Sequence, residues 1–346
     1  MMLGEFNCDY IQFFHDPDSD LIGDSEQAFL KYLGQTSAIF ITGEDHTRTR
    51  AVCTLLHGNE PSGFSAVFHY LKSKKKPVVN TLFIIASVQA ASLDPLFSHR
   101  MQPQQRDLNR CFSAPYDDHQ GEVANAILKL IHLVNPECLI DIHNTSGSGP
   151  AFAVAIKEDN NHVALTSLFT NDLIVTDLRL GALMELSEQD LCTVTIECGG
   201  AKDAASLMIA QEGLHRYLST QQVLAMDDEQ YPVNVYHNPI RLETIANAPV
   251  AYGHQAQDNA VITLPLRADK FNYGMLTKDE LIGYLRPNGL KLLTAKDPLG
   301  VERLEEYFVL KGDELYARHP LKIFMATTNS FIAKTDCLFY FIGADS

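Results

Sequence analysis

The sequence predicts an α/β domain with a mostly parallel or mixed sheet flanked by helices, followed by a smaller β-rich region. Two observations lead there. From about residue 38 to 218, short apolar and β-branched runs alternate with segments of helical periodicity. After about residue 221, short β-like runs alternate with turn residues instead. The expected division is therefore a first domain over 1–220 and a second over 221–346, with Asp227-Asp228-Glu229 breaking the pattern.

The elements follow in order. Ala38–Thr42 and Ala51–Leu56 read as strands, and the polar stretch Gly43–Arg50 between them reads as a hairpin connection. The second run leads straight into His57, and Pro61 then suits the first turn of a helix. Phe64, Val67, Phe68 and Leu71 give that helix one apolar face, and Lys72–Lys76 close it where cations suit the helix dipole. Val78–Ala86 reads as a buried strand. Ser87–Pro115 is loop-like and carries Arg110; loops of this length inside a domain are often functional. Glu122–Val134 is helical. Cys138–Ile142 is a short strand ending at His143. Ala151–Ile156 and Cys192–Ile196 are further strands, the latter ending at Glu197, and Asp203–Leu218 is a helix. Tyr231–Ile240, Ala260–Leu266 and Leu321–Ala326 are β-like runs of the second region. His57, His143 and Glu197 thus follow strand C-termini, the edge where open α/β sheets form their ligand crevices.

Composition narrows the function. With 346 residues, 46% of them hydrophobic, the chain can bury a sizeable core. A formal net charge of -16 leaves no basic face for nucleic acid or for an anionic membrane. Seven scattered cysteines without a Cys-x-x-Cys pair suggest buried thiols in a reducing, cytoplasmic setting, not a disulfide framework. Met1–Asp20 lacks the basic and apolar regions of a signal peptide, and runs such as Leu82–Val88 are too short to span a bilayer.

The chemistry lies in four segments: His57-Gly58-Asn59-Glu60-Pro61, Asp107-Leu108-Asn109-Arg110, Asp141-Ile142-His143-Asn144 and Thr195-Ile196-Glu197. His57, Glu60 and His143 are two imidazoles and a carboxylate, the donor set of open catalytic zinc sites. Glu197, at a strand end before Cys198-Gly199-Gly200, is a spare carboxylate suited to general-base work. Arg110 is a fixed cation for a substrate carboxylate or an oxyanion. His-x-x-Glu recurs at His119–Glu122, in a polar stretch that reads as a helix start. Cys198 has no histidine partner by spacing to activate it as a nucleophile. A group holding the second nitrogen of His143 is expected, and spacing alone does not identify it.

These four segments, in this order, resemble the succinylglutamate desuccinylase/aspartoacylase family, which is related to zinc carboxypeptidases. The resemblance covers roughly residues 38 to 218, and the later β-rich region fits the family layout. It implies a zinc-carboxypeptidase-like sheet and one zinc ion per chain on His57, Glu60 and His143. It implies water activation by Glu197, and substrate contacts from Asn109, Arg110 and the neighbouring Asn144. The implied reaction cleaves the amide bond of an N-acyl amino acid, a small-molecule partner; a homo-oligomer stays open. A peptide-cleaving metallocarboxypeptidase and a non-catalytic binding protein of the same fold are the alternatives. The chain also departs from the family pattern. Gln102 stands where aspartoacylases have a substrate arginine, with Arg100 and Arg106 nearby, and Ser187 stands where they have another.

Overall fold

The computed structural model describes residues 8–226, 230–335 and 337–343. Asp227-Asp228-Glu229, where the sequence texture changes, and the first seven residues of the N-terminal stretch lie outside the described residues. The chain forms two compact units, Met1–Asn144 with Ala151–Val235, and Thr145–Pro150 with Tyr236–Ser346.

Unit 1 runs β1 (Gln12–His15), α1 (Glu26–Leu33), β2 (Ser37–Ile41), β3 (Asp45–Thr54), α2 (Ser62–Lys72), β4 (Val79–Ile85), α3 (Val88–Ala91), α4 (His119–Val134), β5 (Leu139–Thr145), β6 (Phe152–Ala155), α5 (Asn160–Ser167), β7 (Asp172–Val175), β8 (Thr193–Gly200) and α6 (Ala204–Ser219). With β9 (Asn234–His237) at the far edge, the strand order is β1-β2-β4-β3-β5-β8-β6-β7-β9. The sheet is mixed: β3 pairs in parallel with both β4 and β5, while β2 is antiparallel to β4 and β6 to β8.

Strand alternation builds a layer on each face. Val52, Phe83, Ile85, Ile140 and Ile142 join Phe29, Phe64, Phe68, Leu214 and Tyr217 from α1, α2 and α6 in one core. Ala51, Cys53, Leu82, Ile84 and Leu139 join Ile127, Leu130 and Ile131 of α4 in the other. The expected hairpin between β2 and β3 does not form. Every residue of β4 is buried, so this strand needs a partner on each side, and it lies between β2 and β3. β5 and β8 also run on past the expected ends, through His143 and Glu197.

The elements that hold the site have local causes. Asp118 caps α4 by accepting from the backbone N–H of Gly121 (2.8 Å), so His119–Glu122 is a helix start, as its polar context suggests. Gly63 on α2 faces Thr54 Oγ1 and the Ile142 side chain so closely that a Cβ would collide with them. This lets the helix that follows Glu60 pack directly on β3 and β5.

Unit 2 is β-rich. One five-stranded sheet is ordered β13 (Met275–Leu276), β18 (Leu321–Phe324), β19 (Phe339–Gly343), β10 (Ile240–Thr244), β15 (Leu293–Lys296). The other is ordered β11 (Val250–Tyr252), β12 (Ile262–Leu264), β14 (Leu281–Leu285), β17 (Glu314–Ala317), β16 (Phe308–Lys311). Leu242, Ile323, Phe339 and Phe341 of the first share a core with Ile262, Leu285 and Leu315 of the second. No helix among the described residues is long and apolar enough to cross a membrane.

Candidate metal centre

His57 lies in the turn between β3 and α2, and Glu60 ends that turn one residue before Pro61. β5, the next strand in the sheet, carries Asp141, His143 and Asn144, and β8 beyond it carries Glu197. Three of the four sequence segments therefore meet at one sheet edge because β3, β5 and β8 are neighbours, and the fourth joins them through Asp107, 3.0 Å from His57 Nε2.

The geometry at their meeting point is specific. Glu60 Oε1 lies 2.8 Å from His57 Nδ1, and Glu60 Oε2 lies 2.6 Å from His143 Nδ1. The far nitrogens are held by carboxylates: His57 Nε2 is 3.0 Å from Asp107 Oδ1, and His143 Nε2 is 2.7 Å from Asp141 Oδ2. Each Nε2 thus has an aspartate to donate to, and each Nδ1 faces the Glu60 carboxylate. Without a metal, protons on Nδ1 satisfy those contacts; a bound cation would take the place of those protons between the same three groups. His57, Glu60 and His143 are all buried, and their ligand atoms lie within 4.8 Å of one another. The donor set fits zinc.

The electrostatics follow from this crowding. Burial works against charge on His143, but Asp141 and Glu60 outweigh it and hold its pKa well above the usual histidine value. Burial would raise Glu60, yet His57 and His143 hold it well below the carboxylate range. Burial would likewise raise Asp107; the hydrogen bond and charge of His57, with Arg100 and Arg110, lower it. Glu197 is the exception. Burial pushes it up to about 7, against the charges of His143 and His57, while Glu60 and Asp141 raise it further. Its Oε2 is buried and has no hydrogen-bond partner among the described residues.

The remaining predicted residues divide. Arg110 is exposed at the end of the short turn Leu108–Arg110, and its Nη1 donates to the Asn109 carbonyl at 2.8 Å. Asn109 is buried, and its Oδ1 accepts from Leu183 N at 3.0 Å. Asn144 Oδ1 accepts from Ser62 N (3.0 Å), and its Nδ2 donates to Ser62 Oγ and Gly199 O (both 2.9 Å), which ties β5 to α2 and β8. Cys198 is buried, and burial raises its thiol far above the range in which a thiolate forms.

The residues near the departures are also settled. Arg100 donates to Asp107 Oδ2 from Nε (3.1 Å) and Nη2 (2.9 Å), and its Nη1 is 3.5 Å from Glu60 Oε1. Arg106 turns away to Asp118 (2.5 and 2.8 Å). Gln102 donates to Gln89, and Ser187 is buried between His162 Nε2 (2.9 Å) and the Thr193 backbone. Sequence reasoning left open the partners of the two imidazoles. Asp141 was findable, because residues two apart on a strand share a face. Asp107, 50 positions from His57, carried no local signal.

Comparison with solved structures agrees with this architecture. A succinylglutamate desuccinylase/aspartoacylase from Rhodobacter sphaeroides aligns over 88% of this chain and 87% of its own, with TM-score 0.55 and 13% identity. The ectoine utilization protein EutE (DoeB) from Ruegeria pomeroyi, solved with product bound, aligns over 82% of each chain, with TM-score 0.54 and 17% identity. An aspartoacylase family protein from Mesorhizobium loti aligns over 82% of this chain and 81% of its own, with TM-score 0.51 and 12% identity. The fold is that of the succinylglutamate desuccinylase/aspartoacylase family. No sequence-family model matches the chain, and no curated protein matches it. At these identities the likeness is one of architecture, and the chemistry rests on the side chains of this chain.

Proposed function

We propose that the protein is a zinc-dependent hydrolase that cleaves the amide bond of an N-acyl amino acid. The observation that carries this reading is the convergence of His57 Nδ1, His143 Nδ1 and the Glu60 carboxylate, each imidazole backed by its own aspartate. The names of the structural neighbours, desuccinylases and aspartoacylases, support the choice of amide hydrolysis.

His57, Glu60 and His143 would hold the zinc ion, which would supply Lewis acidity to a water and to the scissile carbonyl. Asp107 and Asp141 keep both imidazoles in the tautomer that presents Nδ1. Glu197 accepts the proton of the attacking water and returns it to the leaving amine. Burial raises its affinity for that proton, which favours taking it from the water. Arg110 anchors the substrate carboxylate from the exposed rim, with Asn109 fixing the turn that presents it.

The test has two arms. Purified protein should bind one zinc ion per chain, and His57→Ala or His143→Ala should lose most of it. Glu197→Gln should keep the zinc and the fold, while turnover of the best N-acyl amino acid falls by a factor on the order of 10² to 10⁴. Full zinc occupancy in both histidine variants would remove the ligand set. Wild-type turnover by Glu197→Gln would remove the base.

A further inference from the structure

We propose that the chain carries a second, weaker zinc site, formed by Asp159, His162 and Cys192. It shares no ligand with His57, Glu60 and His143, and it stands whether or not the protein is a hydrolase. Cys192 directly precedes β8, on which Glu197 follows five positions later, so at the rise of a strand the two are about 16 Å apart.

Three kinds of donor converge there. One atom each from the Asp159 carboxylate, the His162 imidazole and the Cys192 thiol lie within 4.8 Å of one another. Asp159 is the N-cap of α5 and His162 stands in its first turn, while Cys192 comes from the foot of β8. Oxygen, nitrogen and sulfur together suit zinc; magnesium and calcium take oxygen ligands and have little use for a thiolate.

The bonds these groups already make leave the binding atoms available. Asp159 caps α5 through Oδ1 alone, which accepts from the backbone N–H of Asn161 (2.9 Å) and His162 (3.0 Å) and lies 2.8 Å from His162 Nδ1. Oδ2 has no hydrogen bond among the described residues, so an ion can take it without uncapping the helix. His162 is buried, with Nε2 2.9 Å from Ser187 Oγ. Without a metal, a proton on Nδ1 satisfies Asp159. With a metal in its place, Nε2–H donates to the Ser187 hydroxyl, which donates in turn to Thr193 O at 3.2 Å. Cys192 is 9% exposed, forms no disulfide, and its sulfur has no hydrogen-bond partner among the described residues. On binding it gives its proton to solvent. The Asp159 side chain is 49% exposed, which gives an ion a way in. Two differences make this the weaker site: its imidazole is backed by a neutral hydroxyl, where His57 and His143 each have an aspartate, and its carboxylate is solvated. It therefore fills when zinc is added to protein that already holds its first ion, and it ties α5 to the foot of the strand that carries Glu197.

Cobalt(II) is the probe, because a thiolate ligand gives a near-ultraviolet sulfur-to-metal charge-transfer band that a His-Glu-His set cannot give. The full chain, stripped of metal by chelator, is titrated with cobalt while bound metal and the band are both followed. Wild type should bind two equivalents, and the band should grow with the weaker one. The double variant His57→Ala/His143→Ala should keep the band. Cys192→Ser should lose it together with one equivalent. Asp159→Asn keeps a good N-cap and removes only a charge at an exposed position; it should weaken the second equivalent at least about tenfold. Zinc added afterwards should displace the cobalt and bleach the band. No band up to millimolar cobalt overturns the proposal, as does a band that survives Cys192→Ser or is indifferent to Asp159→Asn. A band that zinc does not bleach overturns the choice of metal.

Discussion

Glu197 is the residue whose physics is most exposed to test. A carboxyl whose pKa rises on folding holds its proton more tightly in the folded state. Its contribution to stability is therefore complete below the ordinary value of 4.5 and is lost as pH rises through about 7. Glutamine at this position mimics the protonated form at every pH. In chelator, then, the Tm of Glu197→Gln should match that of the wild type near pH 4.5, exceed it progressively up to about pH 7, and hold a constant lead above that. A difference that does not vary with pH would mean that Glu197 is not a desolvated carboxylate. At this scale the meeting of His57, Glu60, His143 and Glu197 was legible in the sequence, since short motifs at or just after strand ends carry them. The charges around them were less so. Arg100 and Asp107 sit in one loop, but only the fold shows that they spend themselves on each other and on His57. The brace that Asn144 forms between β5, α2 and β8 was not legible either, because only the fold brings Ser62 and Gly199 to its amide.

Between elements, the tie from β3 to α6 stands out. Arg50 is fully buried; its Nη1 donates to the carbonyls of Tyr217 (2.6 Å) and Thr220 (2.8 Å), and its Nη2 donates to that of Gln221 (2.8 Å). Its Nε pairs with Glu137 at 2.7 Å, and Glu137 also holds Arg48 at 2.8 Å. The guanidinium thus satisfies carbonyls that the end of a helix leaves without partners. Arg50→Met keeps the aliphatic stem and removes every donor. Equilibrium denaturation should show a loss of about 3 to 5 kcal/mol, the usual cost of breaking a buried, paired charge. A loss below about 1 kcal/mol would show that water replaces the donors without penalty.

Over the whole molecule, the order of elements was readable from alternating apolar periods, because each sheet strand and each covering helix repeats its own period. Pairing was not. β2 and β3 are neighbours in sequence and separated in space, since β4 is apolar on both faces and must be flanked. Short elements such as β1 and β7, four residues each, have too few positions to show a period.

The span between Glu60 and His143 has one more consequence. The two residues are 83 positions apart, and His57 lies only three before Glu60. An ion gripped by all three would act as a cross-link, closing a large loop in a chain whose seven cysteines include six buried or partly buried within unit 1 and no disulfide among them. For a covalent link of this size the entropy removed from the unfolded chain is worth about 4 to 5 kcal/mol. Saturating zinc should accordingly raise Tm by at least about 5 °C over the chelated protein, and a Tm indifferent to zinc would mean that the three ligands do not grip one ion. Such an ion would be a fastener as well as a reagent: it would hold distant parts of the chain at a fixed separation, and removing it would loosen the sheet edge where His57, Glu60 and His143 meet.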